Sequence, residues 1–181
     1  MTEATPDQPE YAPHAVQAVR TATLVNLGLS QMADQKASML IGAALVIFTL
    51  IVGQASTSGH LPPALLVLGA SAFVTALLSV AVVMPSVVPP RHDEDHANLM
   101  FFGAFTRLDE AEFTERMLTR LRSDDAMFRM MLCDIYQNGQ VLQRKKYRLL
   151  GMAYRTMLAG MSLAFVLFVF DQRHVLAASL I

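Results

Sequence analysis

Met32-Ala33-Asp34-Gln35-Lys36-Ala37-Ser38 is the stretch where charge stops. From Ala37 to Gly59 the chain holds no Asp, Glu, Lys or Arg. A helix crosses the hydrocarbon layer with about 20 mostly apolar residues at about 1.5 Å of rise each. The run is long enough. Residues before Ala37 therefore read as an aqueous helix and residues after it as a membrane-buried one, with Asp34 and Lys36 at the point of entry.

The composition agrees. Charged residues make up 16% of the 181, where soluble domains carry about a quarter, and the deficit falls in three segments. A net charge of −1 gives no electrostatic footprint for nucleic acid. With Cys133 as the single cysteine, no internal disulfide can form, as expected on a reducing face. The lead before the uncharged run is acidic, unlike a cleavable signal peptide.

Residues 1–12 hold two prolines and three acids and read as a disordered tail. From Pro13, Ala15, Ala18, Val19, Ala22, Val25, Leu29 and Met32 recur at helical steps. The spacing predicts one helix from about Pro13 to Gln54: a cytosolic part, 13–36, and a first transmembrane span, 37–55. Ser38, Gly42, Thr49 and Gly53 place small residues near one face, either as a close-packing surface or as generic membrane-helix composition. Ser56 to Pro63 is rich in turn residues. A second span is expected at 64–84, closed by Pro85, Pro89 and Pro90. Its Ser71, Thr75 and Ser79 form a line at four-residue steps. Such hydroxyls bond back to their own helix, pack on a neighbour, or line a pore.

Residues 86–148 return to water. Asp109 with Glu112 resembles a capping box, placing a helix start near Glu110 with Phe113, Met117, Leu118 and Leu121 on one side. Ser123 is a second cap, followed by Asp124 and Asp125 in a first turn. The pattern then runs helical to about Phe170, with Phe128, Met131, Leu132, Ile135, Leu142 and Leu149 as its stripe. Asn138-Gly139 is its expected interruption. Span three is 149–170, leaving 171–181 as an external tail. The fold class is an all-α membrane protein. It has three transmembrane helices and a cytosolic helical bundle, and two long helices continue from cytosol into membrane.

Twelve of the fourteen Lys and Arg lie before span one or between spans two and three, and Arg155, near the start of span three, extends its head group back to the same interface; Arg173 alone follows span three. Basic residues stay cytoplasmic. The N-terminus and central region are therefore expected in the cytoplasm and the C-terminus in the periplasm.

The chain has no P-loop, dinucleotide fingerprint, catalytic triad or zinc spacing. His92 and His96 stand four apart among acids, either a loop or a metal pair. Cys133 lies among methionines and leucine and reads as a small buried hydrophobe. Arg144-Lys145-Lys146-Tyr147-Arg148 is the densest positive patch. It reads as a headgroup anchor or as a phosphate-binding surface, with Tyr136 or Tyr147 to stack on a base. Asp34 and Lys36 are interfacial residues, or Asp34 pairs with Arg148 or Arg155 as a gating latch.

Three stretches together resemble the transmembrane effectors of Pycsar anti-phage systems (PycTM). They are Met32-Ala33-Asp34-Gln35-Lys36-Ala37, Asn98-Leu99-Met100-Phe101-Phe102-Gly103, and Asp134 to Arg148. The resemblance spans about residues 20 to 170. It implies a non-enzymatic effector without cofactors. It also implies activation by a cyclic pyrimidine nucleotide, cyclic CMP or cyclic UMP, from a neighbouring cyclase, with impairment of the bacterial inner membrane and cell death by abortive infection. It does not say which residues hold the nucleotide. Three spans do not enclose a pore, so a homo-oligomer in the lipid bilayer is expected. The alternatives are a ligand-independent membrane scaffold, or a membrane-embedded metal-dependent hydrolase using His92 and His96.

Overall fold

The computed structural model describes residues 11–85 and 98–178. Every regular element among them is a helix. The order is α1 (Ala15–Ser58), α2 (Pro63–Val83), a short α3 (Phe102–Phe105), α4 (Glu110–Leu121) and α5 (Asp124–Val141). A π-helical stretch, Leu142–Tyr147, then leads into α6 (Arg148–Ala178).

Local chemistry explains the boundaries. No proline interrupts 15–58, so α1 passes from polar to apolar sequence in one piece despite Gly28, Gly42 and Gly53. It stops at Gly59, whose φ of 63° only glycine adopts without strain. Pro63 opens α2, where its missing N–H costs nothing. Asp109 caps α4 through its carboxylate, which accepts from the Ala111 N–H at 3.3 Å. The reciprocal half of the box does not form, because Glu112 turns instead to Arg116 at 2.6 Å.

Two expectations about the last long helix are corrected. Asn138-Gly139 does not interrupt α5. Asn26 of α1 donates to the Ile135 carbonyl at 3.1 Å, and a Cβ on Gly139 would stand 4.0 Å from the Asn26 amide. The irregularity falls three residues later, at the π-helical stretch. Helix also does not end at Phe170. No glycine or proline follows, and α6 runs to Ala178.

The chain divides into two compact units; the boundary falls within α1, after Gly28, and again between α5 and the π-helical stretch, after Val141. The first unit comprises Met1–Gly28 and Ser86–Val141. In it Phe113 of α4 packs against Phe105 at a ring-centroid distance of 5.2 Å. Leu118 and Leu121 of the expected α4 stripe stay exposed. On α5, Phe128 and Asp134 are buried and Cys133 is exposed, correcting the expectation of a buried thiol. The carboxylate of Asp134 occupies the inward position that the neighbouring cysteine was expected to take.

The second unit, Leu29–Pro85 with Leu142–Ile181, packs α1, α2 and α6 through small side chains. One core cluster is Leu40, Ala44, Ala72, Ala153 and Met157; another is Ala33, Ala37, Val82 and Leu150. Large side chains such as Leu50, Leu66, Phe73, Phe165 and Phe168 point outward. A small-residue core within a large apolar exterior inverts the soluble pattern and is what lipid solvent permits. Three helical stretches are long and apolar enough to span a bilayer: Ala15–Thr57, Pro63–Val83 and Asp124–Arg173. The chain is an all-α membrane protein.

Of the two readings of the small residues on α1, generic membrane-helix composition is the one that fits. Ser38, Gly42, Thr49 and Gly53 are exposed, and Gly42 and Gly53 meet nothing within 4 Å. Alanines at 33, 37 and 44 face the core instead, since a methyl group fills a helix interface that glycine would leave hollow. The tight contacts come from α2 and α6. A Cβ on Gly69 would touch Ile51 at 3.4 Å, and one on Gly160 would overlap the Ser71 side chain.

Candidate functional site

Lys146 is the residue around which the first polar arrangement is built. It sits in the π-helical stretch, where the widened turn spaces successive side chains differently from an α-helix. Its ammonium donates to both carboxylate oxygens of Asp34, at 2.6 and 2.8 Å, and to the Ser30 hydroxyl at 2.8 Å. An ammonium has three donors, so all are used. The Lys146 side chain is 18% exposed and that of Asp34 37%, so the pair is only partly screened by water. Its neighbours are committed as well. Lys145 donates to the carbonyl of Met84, just past α2, at 3.2 Å, and the Tyr147 hydroxyl donates to the Leu29 carbonyl at 3.4 Å.

This geometry corrects the expected latch. Asp34 pairs with Lys146, not with Arg148 or Arg155, both of which are exposed on α6. Lys36 is exposed on α1 and takes no part. The basic patch is also smaller than its sequence. Lys145, Lys146 and Tyr147 are held within the second unit, leaving Arg144 and Arg148 as its exposed cations. Tyr136, on α5, is 68% exposed.

A second polar arrangement lies inside the first unit. Asn98 and Asp134 are both buried. The Asn98 amide donates to Asp134 at 2.9 Å and to the Gln137 side chain at 3.1 Å, while its oxygen accepts from the Met100 N–H at 3.0 Å. Sequence reading singled out the stretches containing these residues but gave the residues no role. An aspartate inside an apolar helical stripe is the signal that points to them, because a buried carboxylate requires a partner.

His92 and His96 lie outside the described residues. Among the described residues no three of His, Cys, Asp and Glu come together as a metal site.

The family stretches thus meet in pairs. The opening stretch, 32–37, joins the third through Asp34 and Lys146, and the second joins the third through Asn98 with Asp134 and Gln137. Neither the curated proteins nor the solved structures contain a match to the chain. A family model, by contrast, covers residues 17–170, taking in α1, α2, both polar arrangements and most of α6. The chain belongs to the PycTM family, described as the Pycsar effector protein domain.

Proposed function

We propose that this Pycsar effector senses a cyclic pyrimidine nucleotide, cyclic CMP or cyclic UMP, and responds by impairing the bacterial inner membrane. A partner cyclase makes the nucleotide on infection. The cell dies before phage mature. The chain works as an effector without catalysis. Its N-terminus and central region lie in the cytoplasm and its C-terminus in the periplasm, since basic residues are retained inside.

The observation that supports this most is the Asp34–Lys146 pair, with Ser30 completing the ammonium's coordination. The three residues stand where α1 and the stretch before α6 leave polar sequence for the helix-packed core. Residues held this way form one arrangement that a ligand can favour or disfavour. Breaking the pair frees the start of α6 from α1, and the three-helix core loosens from that end. Arg144 and Arg148 rest on anionic headgroups. A lesion needs several copies, because three helices do not enclose a water path.

The experiment is dye entry and membrane depolarisation in cells expressing the chain with and without its neighbouring cyclase. Depolarisation only when both are active is the expected result. Intact membranes despite accumulated cyclic pyrimidine would overturn the reading.

A further inference from the structure

The first unit contains an open cavity of about 360 Å³ over the first turns of α1 and α5. Tyr11, Ala15 and Val19 line one side, and Asp125, Phe128 and Arg129 the other. The volume lies at the small end of ligand sites. Its polar groups are already ordered. The Tyr11 hydroxyl donates to Asp125 at 2.7 Å, and the Arg129 Nε donates to the other oxygen of the same carboxylate at 2.7 Å. The Tyr11 ring rests on Phe128 with centroids 4.6 Å apart.

We propose that this cavity receives a ribonucleoside cyclic phosphate. The outer edge of the Arg129 guanidinium takes the phosphate, Asp125 accepts from the ribose 2′-hydroxyl, and the base lies on the Tyr11 ring. The site rests on the cyclic-nucleotide reading above and gives it a location.

The pairing of Asp125 with Arg129 sets the ligand chemistry. Because the two side chains are bonded to each other, the groups they bind must also be adjacent: an anion beside a hydroxyl. In a 3′,5′-cyclic ribonucleotide the 2′-hydroxyl stands on the carbon next to the one bearing the phosphate. Guanidinium presents further donors once Nε is used, in the fork that suits a phosphate. A carboxylate accepting two bonds has lone pairs left for a third. The Arg129 side chain is 76% exposed, so its outer edge is open to a ligand. The bonds from Arg129 and then from Tyr11 hold the Asp125 carboxyl below the usual carboxylate range, keeping it an acceptor. The bond to Asp125 raises the Tyr11 phenol, keeping it protonated.

Asp124 adds a negative charge on the same turn, against the positive end of the α5 dipole. Long-range attraction for an anion is therefore small, and recognition depends on direct bonds and stacking. The two helices that line the cavity, α1 and α5, belong to the long stretches Ala15–Thr57 and Asp124–Arg173, whose length and apolarity suit a bilayer.

Full-length protein in detergent micelles is titrated calorimetrically with 3′,5′-cyclic CMP, 3′,5′-cyclic UMP and 2′-deoxy-3′,5′-cyclic CMP. Wild type should bind the ribonucleotides and take the deoxy analogue about tenfold more weakly. Arg129→Ala should cost about tenfold or more, with Arg129→Lys recovering little. Tyr11→Ala should cost about tenfold through lost stacking, and Tyr11→Phe much less. Circular dichroism confirms that each variant remains helical. If Arg129→Ala and Tyr11→Ala bind as wild type does, or if paired Arg144→Ala and Arg148→Ala alone abolish binding, this site is wrong while nucleotide sensing stands. If wild type binds neither ribonucleotide, the sensing reading falls and the site with it.

Discussion

Replacing Asp34 by Asn tests the latch directly. The change keeps the side chain's shape and removes its charge. The Lys146 ammonium donates three bonds of 2.6–2.8 Å, two of them to Asp34. Charges about 3 Å apart attract by about 5 kcal/mol at an effective dielectric near 20. Desolvation and side-chain ordering remove most of that. Breaking a fully buried pair costs about 3–5 kcal/mol, and an exposed pair contributes about 0–1 kcal/mol. With exposures of 18% and 37%, the pair falls between these limits, at about 2 kcal/mol, or roughly a thirtyfold shift between latched and released forms. The assay is a double-mutant cycle of Asp34→Asn and Lys146→Met, unfolded by SDS in mixed micelles and followed by far-ultraviolet circular dichroism. Each single change should cost about 2 kcal/mol and the double change little more than either, giving a coupling above about 1 kcal/mol. In cells, Asp34→Asn should admit dye at lower cyclase induction than wild type. A coupling below about 0.5 kcal/mol, with unaltered dye entry, would mean that the pair is incidental surface chemistry and would refute the latch.

Other expectations follow from the packing. Gly160→Ala should destabilise the α2–α6 contact by about 1–3 kcal/mol. The new methyl overlaps the Ser71 side chain, whose Cβ no rotamer moves away. Adding Ser71→Gly should restore most of the loss in the same SDS titration. Asn98→Ala should cost about 1–3 kcal/mol by leaving the Asp134 carboxylate buried without its amide, read as earlier melting of the first unit. The Tyr11 tether should be intact above the ordinary carboxylate range and weaken as pH falls through the depressed Asp125 value, because a lowered folded pKa contributes stability only while the group is ionised. The Tyr11 ring signals by NMR should report that change, and Asp125→Asn should abolish it.

Much of this fold could be read from charge alone. The uncharged run beginning at Ala37 and the proline-rich connections define the helices, because lipid admits few other solutions for a backbone. The capping carboxylate of Asp109 was legible for the same local reason. Partners across helices were not. Arg148 and Arg155 suit Asp34 by residue type, whereas the observed partner, Lys146, lies in a π-helical stretch that hydrophobic periodicity does not encode. The packing face of α1 stayed open between two readings because glycine and serine signal close approach in general, whereas alanine does the packing here. Tyr11 fell in what reads as a disordered tail, so its bond to Asp125, 114 positions away, had no sequence signature.

On α2, Ser71 bonds back to the Leu68 carbonyl at 2.9 Å, whereas Thr75 and Ser79 are completely enclosed with their hydroxyls unpaired. Each such group, kept dry without a partner, costs about 1–3 kcal/mol. The three-helix core therefore hides a hydrophilic seam one turn long. Separating α2 from α1 and α6 would let water wet that seam, so its two dry hydroxyls subtract from whatever the packing of α2 contributes.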